Sequence, residues 1–273
     1  MQNTQKNKLN EVVEILNYRK PEIDNYYEES MFKPMGIKSN CFVEKDMKSV
    51  RRLFEFSLTT RQGGTTKKTT DKYKKVGNKV DGLLKEITDI LSDKNINPKK
   101  RYEGAFFKLL NSEIEGMNQK IISMFLKFLI YHSSKNFDGK SELDDALFIP
   151  LDVHVLRFLF KKVNKEKEKD MIQLFDGDFW QSIWQSSLHL PRDITKIDNK
   201  KNFKIQNKIQ NEFKEAKITE PPIILDYLWY IGTMYCRYRN LPKLGCDICW
   251  LRDLCSSRES KDDKDNNKPE NQP

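Results

Sequence analysis

The chain has no apolar run of membrane-spanning length, and so reads as a soluble protein. No signal peptide opens it, which argues against an oxidising compartment and against disulfides. Alternating polar and apolar runs of strand length are scarce, and no internal repeat is visible. Histidine is sparse. His132, His154 and His189 show neither an HExxH pattern nor any paired spacing, which speaks against a histidine metal site; His154 reads as packing or hydrogen-bonding beside Asp152. Gly63-Gly64 with Lys67-Lys68 lacks the GxxxxGK[ST] spacing and a preceding strand, so a P-loop is excluded.

What is present is helix and positive charge. The 273 residues carry a formal net charge of +9, and none of the excess lies in the tail, where residues 256–273 hold four basic and five acidic side chains. A basic balance of this kind fits a polyanionic partner, although Lys and Asn usage can also follow genome composition. Leu9, Val12, Val13, Ile15 and Leu16 form one apolar face, which Pro21 is expected to end. A second helix is predicted from Val43 to Leu58, followed by a loop through the Thr/Lys-rich stretch Thr59–Thr70. Val80, Leu83, Leu84, Ile87, Ile90 and Leu91 make another amphipathic face. Further helices are predicted at 103–112, 119–133, 152–163, 178–187, 203–216 and 222–236. From Ser256 the Ser, Lys, Asp, Asn, Pro and Gln residues cannot bury apolar surface, which predicts a disordered tail. The fold class is all-α, read as two helical lobes flanking a groove.

Four of the five cysteines crowd together. Cys236, Cys246, Cys249 and Cys255 are spaced C-x9-C-x2-C-x5-C, while Cys41 lies far away. A C-x2-C step brings two thiolates onto one metal centre, and a further cysteine six residues on reaches back over the same site. Their surroundings are Leu228-Trp-Tyr-Ile-Gly-Thr-Met-Tyr-Cys236, then Pro242 before Cys246-Asp-Ile-Cys249, then Leu251-Arg-Asp-Leu-Cys255. This tail resembles the [4Fe–4S] motif of the endonuclease III/MutY class of DNA glycosylases. The first gap is longer than that family's usual one and reads as an insertion around Tyr238–Lys243. A four-cysteine zinc site is the alternative.

A second segment, Phe148-Ile-Pro-Leu-Asp-Val-His-Val-Leu-Arg157, resembles the signature around the catalytic aspartate of the helix-hairpin-helix glycosylase superfamily, and places that aspartate at Asp152. A proline two residues before an aspartate that opens an apolar helix sets the carboxylate at the helix N-terminus, where backbone N–H groups keep it ionised. A plain N-cap is the bland reading of the same residue.

Ile114-Glu-Gly116-Met-Asn118-Gln-Lys120 aligns with a worn form of the family's hairpin: Gly116 is kept, the second glycine is Asn118, and the proline is Glu115. Asparagine is the next-best residue for a left-handed backbone, so the turn and its phosphate-binding amides can survive. Asn118-Gln-Lys120-Ile-Ile-Ser-Met-Phe-Leu-Lys-Phe-Leu also resembles the lysine-bearing helix of the archaeal 8-oxoguanine glycosylase branch. The separation of 32 residues from Lys120 to Asp152 is long, as in that branch. Lys127 is the rival lysine, and a solvated helix lysine is the bland reading of Lys120.

The resemblance spans roughly Gly104 to Cys255 and implies a base-excision DNA glycosylase with AP-lyase activity. Residues 1–100 would be an N-terminal helical segment with part of the glycosylase fold, 101–235 the helix-hairpin-helix core, 236–255 the cluster loop and 256–273 the tail. Asp152 would stabilise positive charge on the sugar, and neutral Lys120 would attack C1′ of an extruded nucleotide. That attack requires the neutral amine, which burial or nearby positive charge favours. Gly116, Asn118, Arg237 and Arg239 are the expected DNA contacts, with Lys243 also in the loop. Arg157 and Lys161-Lys162 are as readily surface charge. Trp180 and Trp184 lie four apart, as core residues or as a stacking surface for a flipped base. The favoured lesion is 8-oxoguanine in duplex DNA; oxidised pyrimidines, mismatched bases, or a non-catalytic DNA-binding protein of the same fold are the alternatives. A monomer in the cytoplasm, associated with the nucleoid, is expected.

Overall fold

The computed structural model describes residues 3–59, 77–114, 117–132, 141–151, 155, 199–235 and 248–254. The predicted helix at 178–187, all but Val155 of that at 152–163, most of the Thr/Lys-rich loop and the tail lie outside them. Among the described residues the architecture is all-α, with no strand. No described helix is long and apolar enough to cross a membrane.

Helix α1 spans Asn3–Tyr27 and passes through Pro21, so the expected stop does not occur there. Proline costs a helix interior about 3 kcal/mol, but Pro21 sits on the exposed face. Ile23 and Tyr27 continue the buried stripe of Leu9, Val12, Val13 and Leu16, and burying two more large apolar side chains offsets that cost at about 1.5–3 kcal/mol each. A π-helical turn, Glu28–Phe32, and a short 3-10 turn, Lys33–Met35, follow. Gly36 ends the run in the left-handed region at φ 62°.

Helix α2 (Met47–Thr59) begins later than the apolar pattern suggested. Val43 is 44% exposed and belongs to the preceding turns. The start is set instead by Asp46, whose carboxylate accepts from the Ser49 backbone N–H (3.4 Å) and hydroxyl (3.1 Å). Helix α3 (Gly77–Ser92) buries Val80, Leu84, Ile87 and Leu91 along one stripe. Helix α4 (Pro98–Leu110) has proline at its first position and is capped by Asn97, whose side chain accepts from the Lys99 N–H at 2.9 Å. Helix α5 (Gln119–Lys127) runs on into a π-helical turn, Phe128–His132. Helix α6 (Asn199–Glu215) leads to a 3-10 turn, Pro222–Asp226, and then to α7 (Tyr227–Met234).

Helices α2 to α5 pack on one another, while α1 packs on the 3-10 turn at 222–226 and on α7. Phe128 joins the two groups. Its ring lies 5.4 Å from Tyr27 on α1, 5.3 Å from Phe32 and 5.6 Å from Phe56 on α2. The buried residues form one continuous core.

Candidate active site and cysteine loop

The lysine-bearing helix starts with a cap. Asn118 holds an extended backbone (φ −151°, ψ 169°), and its side-chain oxygen accepts from the N–H groups of Lys120 (3.1 Å) and Ile121 (3.2 Å). The left-handed conformation expected for Asn118 is therefore not adopted. In the extended form its oxygen reaches the second and third amides of the helix, groups that no residue within the helix can satisfy. The same two amides would have to exchange this partner before they could hold a phosphate. Lys120 is half-buried, and Gln119, Ile121, Ile122, Phe125 and Leu126 around it are buried.

Lys127 has a different environment from Lys120. It is 3% exposed, and its ammonium is ion-paired to Asp226, itself 4% exposed and contributed by the 3-10 turn before α7. The ammonium also lies 3.9 Å from the Phe128 ring centre and 5.0 Å from that of Tyr27. Lys127 is thus held by one carboxylate and two rings, contacts that no described feature gives Lys120.

Next to this pair is a second buried group. The Tyr227 hydroxyl donates to Asp24 on α1, and His132 Nδ1 lies 3.7 Å from the same carboxylate oxygen. The His132 ring is 4.8 Å from Tyr27. Burial pushes the Tyr227 hydroxyl well above its ordinary pKa, and the charges of Tyr131 and Asp24 add to the effect. His132 thus has aromatic and carboxylate neighbours.

The segment leading to Asp152, from Leu147 through Leu151, is buried and belongs to no helix, with Leu147 in an extended backbone. Gln206 of α6 bonds its backbone twice: Oε1 accepts from Ile149 N–H at 2.9 Å, and Nε2 donates to the Ile149 carbonyl at 2.8 Å. Asp152 itself lies outside the described residues, between the buried Leu151 and Val155.

At the cysteine loop, Cys249 is half-buried and Leu251 is fully buried. Trp250 stacks on Tyr230 of α7 (5.8 Å, 23° between planes) and meets Tyr235 edge-on at 5.5 Å. From the other side the Arg19 guanidinium of α1 lies 4.7 Å over the Trp250 ring. The Tyr235 hydroxyl is pushed up to about 12, chiefly by burial, with Tyr230, Glu22 and Cys249 adding negative charge nearby. Tyr235 is the residue before Cys236, and Trp250 is the residue after Cys249. Their contact sets the end of α7 beside the Cys249 segment. Cys236, Cys246 and Cys255, the loop cations Arg237, Arg239 and Lys243, and Gly116, Arg157, Lys161, Lys162, Trp180 and Trp184 lie outside the described residues.

Asp226, Asp24 and Gln206 were not singled out from the sequence. Their partners stand 99, 203 and 57 residues away, so no local spacing announces them. No protein-family model, curated protein or solved structure matches this chain, and its function is therefore read from its own residues.

Proposed function

We propose that the protein is a base-excision DNA glycosylase with AP-lyase activity, built on a helix-hairpin-helix glycosylase fold of two helical lobes with a groove between them. The observation that carries the reading is the contact of Tyr235 with Trp250, which brings the neighbours of Cys236 and Cys249 together. Cys236, Cys246, Cys249 and Cys255 would hold a [4Fe–4S] cluster; iron favours this over zinc through the motif around the cysteines. When bound, the cluster serves as a structural clasp for the loop.

The chemistry is assigned to Lys120 and Asp152. The lesion nucleotide leaves the stack to enter the groove. As the N-glycosidic bond breaks and the base departs with a proton, ionised Asp152 stabilises the positive charge on the sugar. Neutral Lys120 forms the Nζ–C1′ bond; the C1′–O4′ bond then breaks, O4′ staying on C4′ as a hydroxyl that takes up the proton released from Nζ, and the C1′=Nζ Schiff base forms. Removal of a C2′ proton then expels the 3′ phosphate by β-elimination. The burial and ion pairing of Lys127 support Lys120 as the nucleophile. Because Asn118 occupies the amides of Lys120 and Ile121, phosphate contact is assigned chiefly to Arg237 and Arg239. Each phosphate neutralised adds about −0.9 to the slope of log K against log salt. Duplex DNA carrying 8-oxoguanine is the favoured substrate, acted on by a monomer at the nucleoid.

Borohydride trapping on duplexes carrying 8-oxoguanine, thymine glycol, uracil or an abasic site tests the assignment, with wild type and Lys120→Gln side by side. A covalent adduct in wild type alone is the expected result, and the lane that traps names the lesion. Trapping undiminished in a folded Lys120→Gln would refute the nucleophile. No adduct and no base release in any lane, with DNA binding intact, would leave a non-catalytic DNA-binding protein.

A further inference from the structure

We propose that α1 and Trp250 form a binding pocket for one unpaired guanine base, a function separate from the lyase chemistry assigned to Lys120 and Asp152. Glu14, Ile15, Tyr18 and Arg19 of α1 line an open pocket of about 340 Å³ together with Trp250. Sites for small molecules commonly hold about 300–1,000 Å³, so the occupant is small. Helical spacing arranges the lining. Glu14 and Tyr18, four residues apart, are neighbours on the helix surface, as are Ile15 and Arg19 in the next row. Tyr18 is 80% exposed, more than any other large apolar side chain among the described residues. The Arg19 guanidinium lies 5.4 Å from the Tyr18 ring centre and 4.7 Å from that of Trp250, which itself stacks on Tyr230. Two rings therefore orient the guanidinium, yet the Arg19 side chain stays 39% exposed. Among the described residues its one hydrogen bond, to Glu22, is long at 3.5 Å. Most of its five N–H donors remain available. Glu14 is exposed and makes no hydrogen bond or ion pair among the described residues.

These groups select a ligand by exclusion. An anion drawn to Arg19 would also meet the Glu14 carboxylate. A cation would find the guanidinium already over both rings. A neutral planar heterocycle avoids both conflicts and can stack on Tyr18, as unpaired bases do on aromatic side chains. It must offer acceptors to Arg19 and donors to Glu14. Guanine does so on two different edges: O6 and N7 form the acceptor pair that arginine reads with two N–H groups, and N1–H and the 2-amino group are donors for a carboxylate. Adenine sets its N6 amino donor beside N7, so it opposes the guanidinium. Cytosine and thymine carry their acceptors and donors along one edge and cannot span the two groups. Glu14 and Arg19 are five residues apart, about 7.5 Å along the helix axis, which leaves room for one base between carboxylate and guanidinium. Because Trp250 and Tyr18 hold the guanidinium before any ligand arrives, little ordering is needed on binding.

The test uses the full chain and fluorescence anisotropy on labelled single-stranded oligothymidylates carrying one central dG, dA or 8-oxoguanine nucleotide. The phosphate contribution is common to the three strands, so the ratio of affinities reports the base alone. Wild type should bind the dG strand at least about fivefold tighter than the dA strand, the effect of one bidentate contact. The 8-oxoguanine strand should lose that preference, because its N7 carries a hydrogen and cannot accept from Arg19. Arg19→Lys keeps the charge without the planar fork and should bring the ratio of dG to dA toward one. Tyr18→Ala and Glu14→Ala alter exposed side chains that the core does not use, so they cover an Arg19 variant that fails to fold, and each should lower the ratio as well. Competition separates two sources of the base. Displacement of the dG strand by GMP but not by AMP gives a site for a free nucleotide; a dG preference that GMP does not displace gives a base read within a strand. Either result supports the pocket. A ratio near one in wild type would overturn the proposal, as would no binding of either the dG strand or GMP. So would a ratio that survives in Tyr18→Ala or in Glu14→Ala, or a preference that extends to 8-oxoguanine. No bond is cut in this assay, so its outcome is independent of borohydride trapping.

Discussion

Lys127 and Asp226 offer the sharpest energetic test of the fold. The two side chains are 3% and 4% exposed, come from α5 and from the turn before α7, and are ion-paired. Removing one partner of a buried pair leaves an uncompensated charge and costs about 3–5 kcal/mol. Against a total stability of about 5–15 kcal/mol, that is a large fraction. Lys127→Met keeps most of the side-chain volume and its packing on Phe128 and Tyr27 but strands the Asp226 carboxylate. With a urea m-value of about 3 kcal/mol/M, the midpoint should fall by about 1–1.7 M. Asp226→Leu should cost a similar amount by stranding the ammonium. The double variant Lys127→Met/Asp226→Leu removes both charges of the pair. It should recover most of the loss and can match wild type, because an apolar pair avoids the desolvation of two ions. Urea melts followed by far-UV circular dichroism give all four corners of the cycle. A single-variant loss below about 1 kcal/mol would place the pair in the range of exposed surface ion pairs and refute the reasoning. Additive losses in the double variant would do the same.

Other outcomes follow from sites away from that pair. Asp46 is held below its usual pKa, first by the hydrogen bond from Lys38 and further by Ser49, so its stabilising effect is present above the unfolded carboxylate value of about 3.9 and is lost as pH falls through the folded one. Asp46→Ala should cost about 1 kcal/mol at neutral pH, and its melting temperature should converge on that of wild type in acid; a constant gap down to pH of about 2 would contradict the linkage. Gly36 has φ 62°, and a Cβ there would lie 2.4 Å from Arg52 Nη1, which donates to the Gly36 carbonyl at 2.7 Å. Gly36→Val should therefore destabilise by at least about 1–2 kcal/mol, and Gly36→Asn by less, with equal losses in thermal melts telling against a left-handed requirement. Purified protein should absorb broadly near 400 nm (about the range of iron–sulfur charge transfer) and contain iron and sulfide, and Cys249→Ala should lose both; zinc without iron would reassign the centre.

Much of the helical plan was legible, and its limits have physical causes. Val80, Leu84, Ile87 and Leu91 show their period in the sequence because burial acts on one face of one helix. Pro21 misled for the opposite reason: its local penalty is visible, whereas the burial of Ile23 and Tyr27 that outweighs it depends on α7 and the Phe128 turn, more than a hundred residues away in sequence. The delayed start of α2 was readable, since Asp46 followed three residues later by Ser49 is a capping pattern, but the apolar Val43 drew the boundary forward. At the candidate site, Lys120 is preferred over Lys127, seven residues on along the same helix, only by the resemblance of its segment, because local spacing does not show how each is buried. Among the described residues, burial, Asp226 and the rings of Phe128 and Tyr27 set Lys127 apart. Asn118 reads in the sequence as a residue that replaces glycine, and the extended backbone shows that its side chain, not its tolerance of left-handed geometry, is what the helix uses.

The pairing of α1 with α7 also has a consequence for how the molecule is made. Tyr227 and Asp24, which bond across this junction, are 203 residues apart in the chain. During synthesis at about 5–20 residues per second, α1 leaves the ribosome at least about ten seconds before the surface that covers its Leu9–Tyr27 stripe. Helices α2 to α5 can associate during that interval, because their contacts are close in sequence. Among the described residues, the apolar face of α1 meets Phe128 and His132 through Tyr27, and otherwise packs on the turn at 222–226 and on α7, which are made later. Completing the fold therefore requires a late long-range closure.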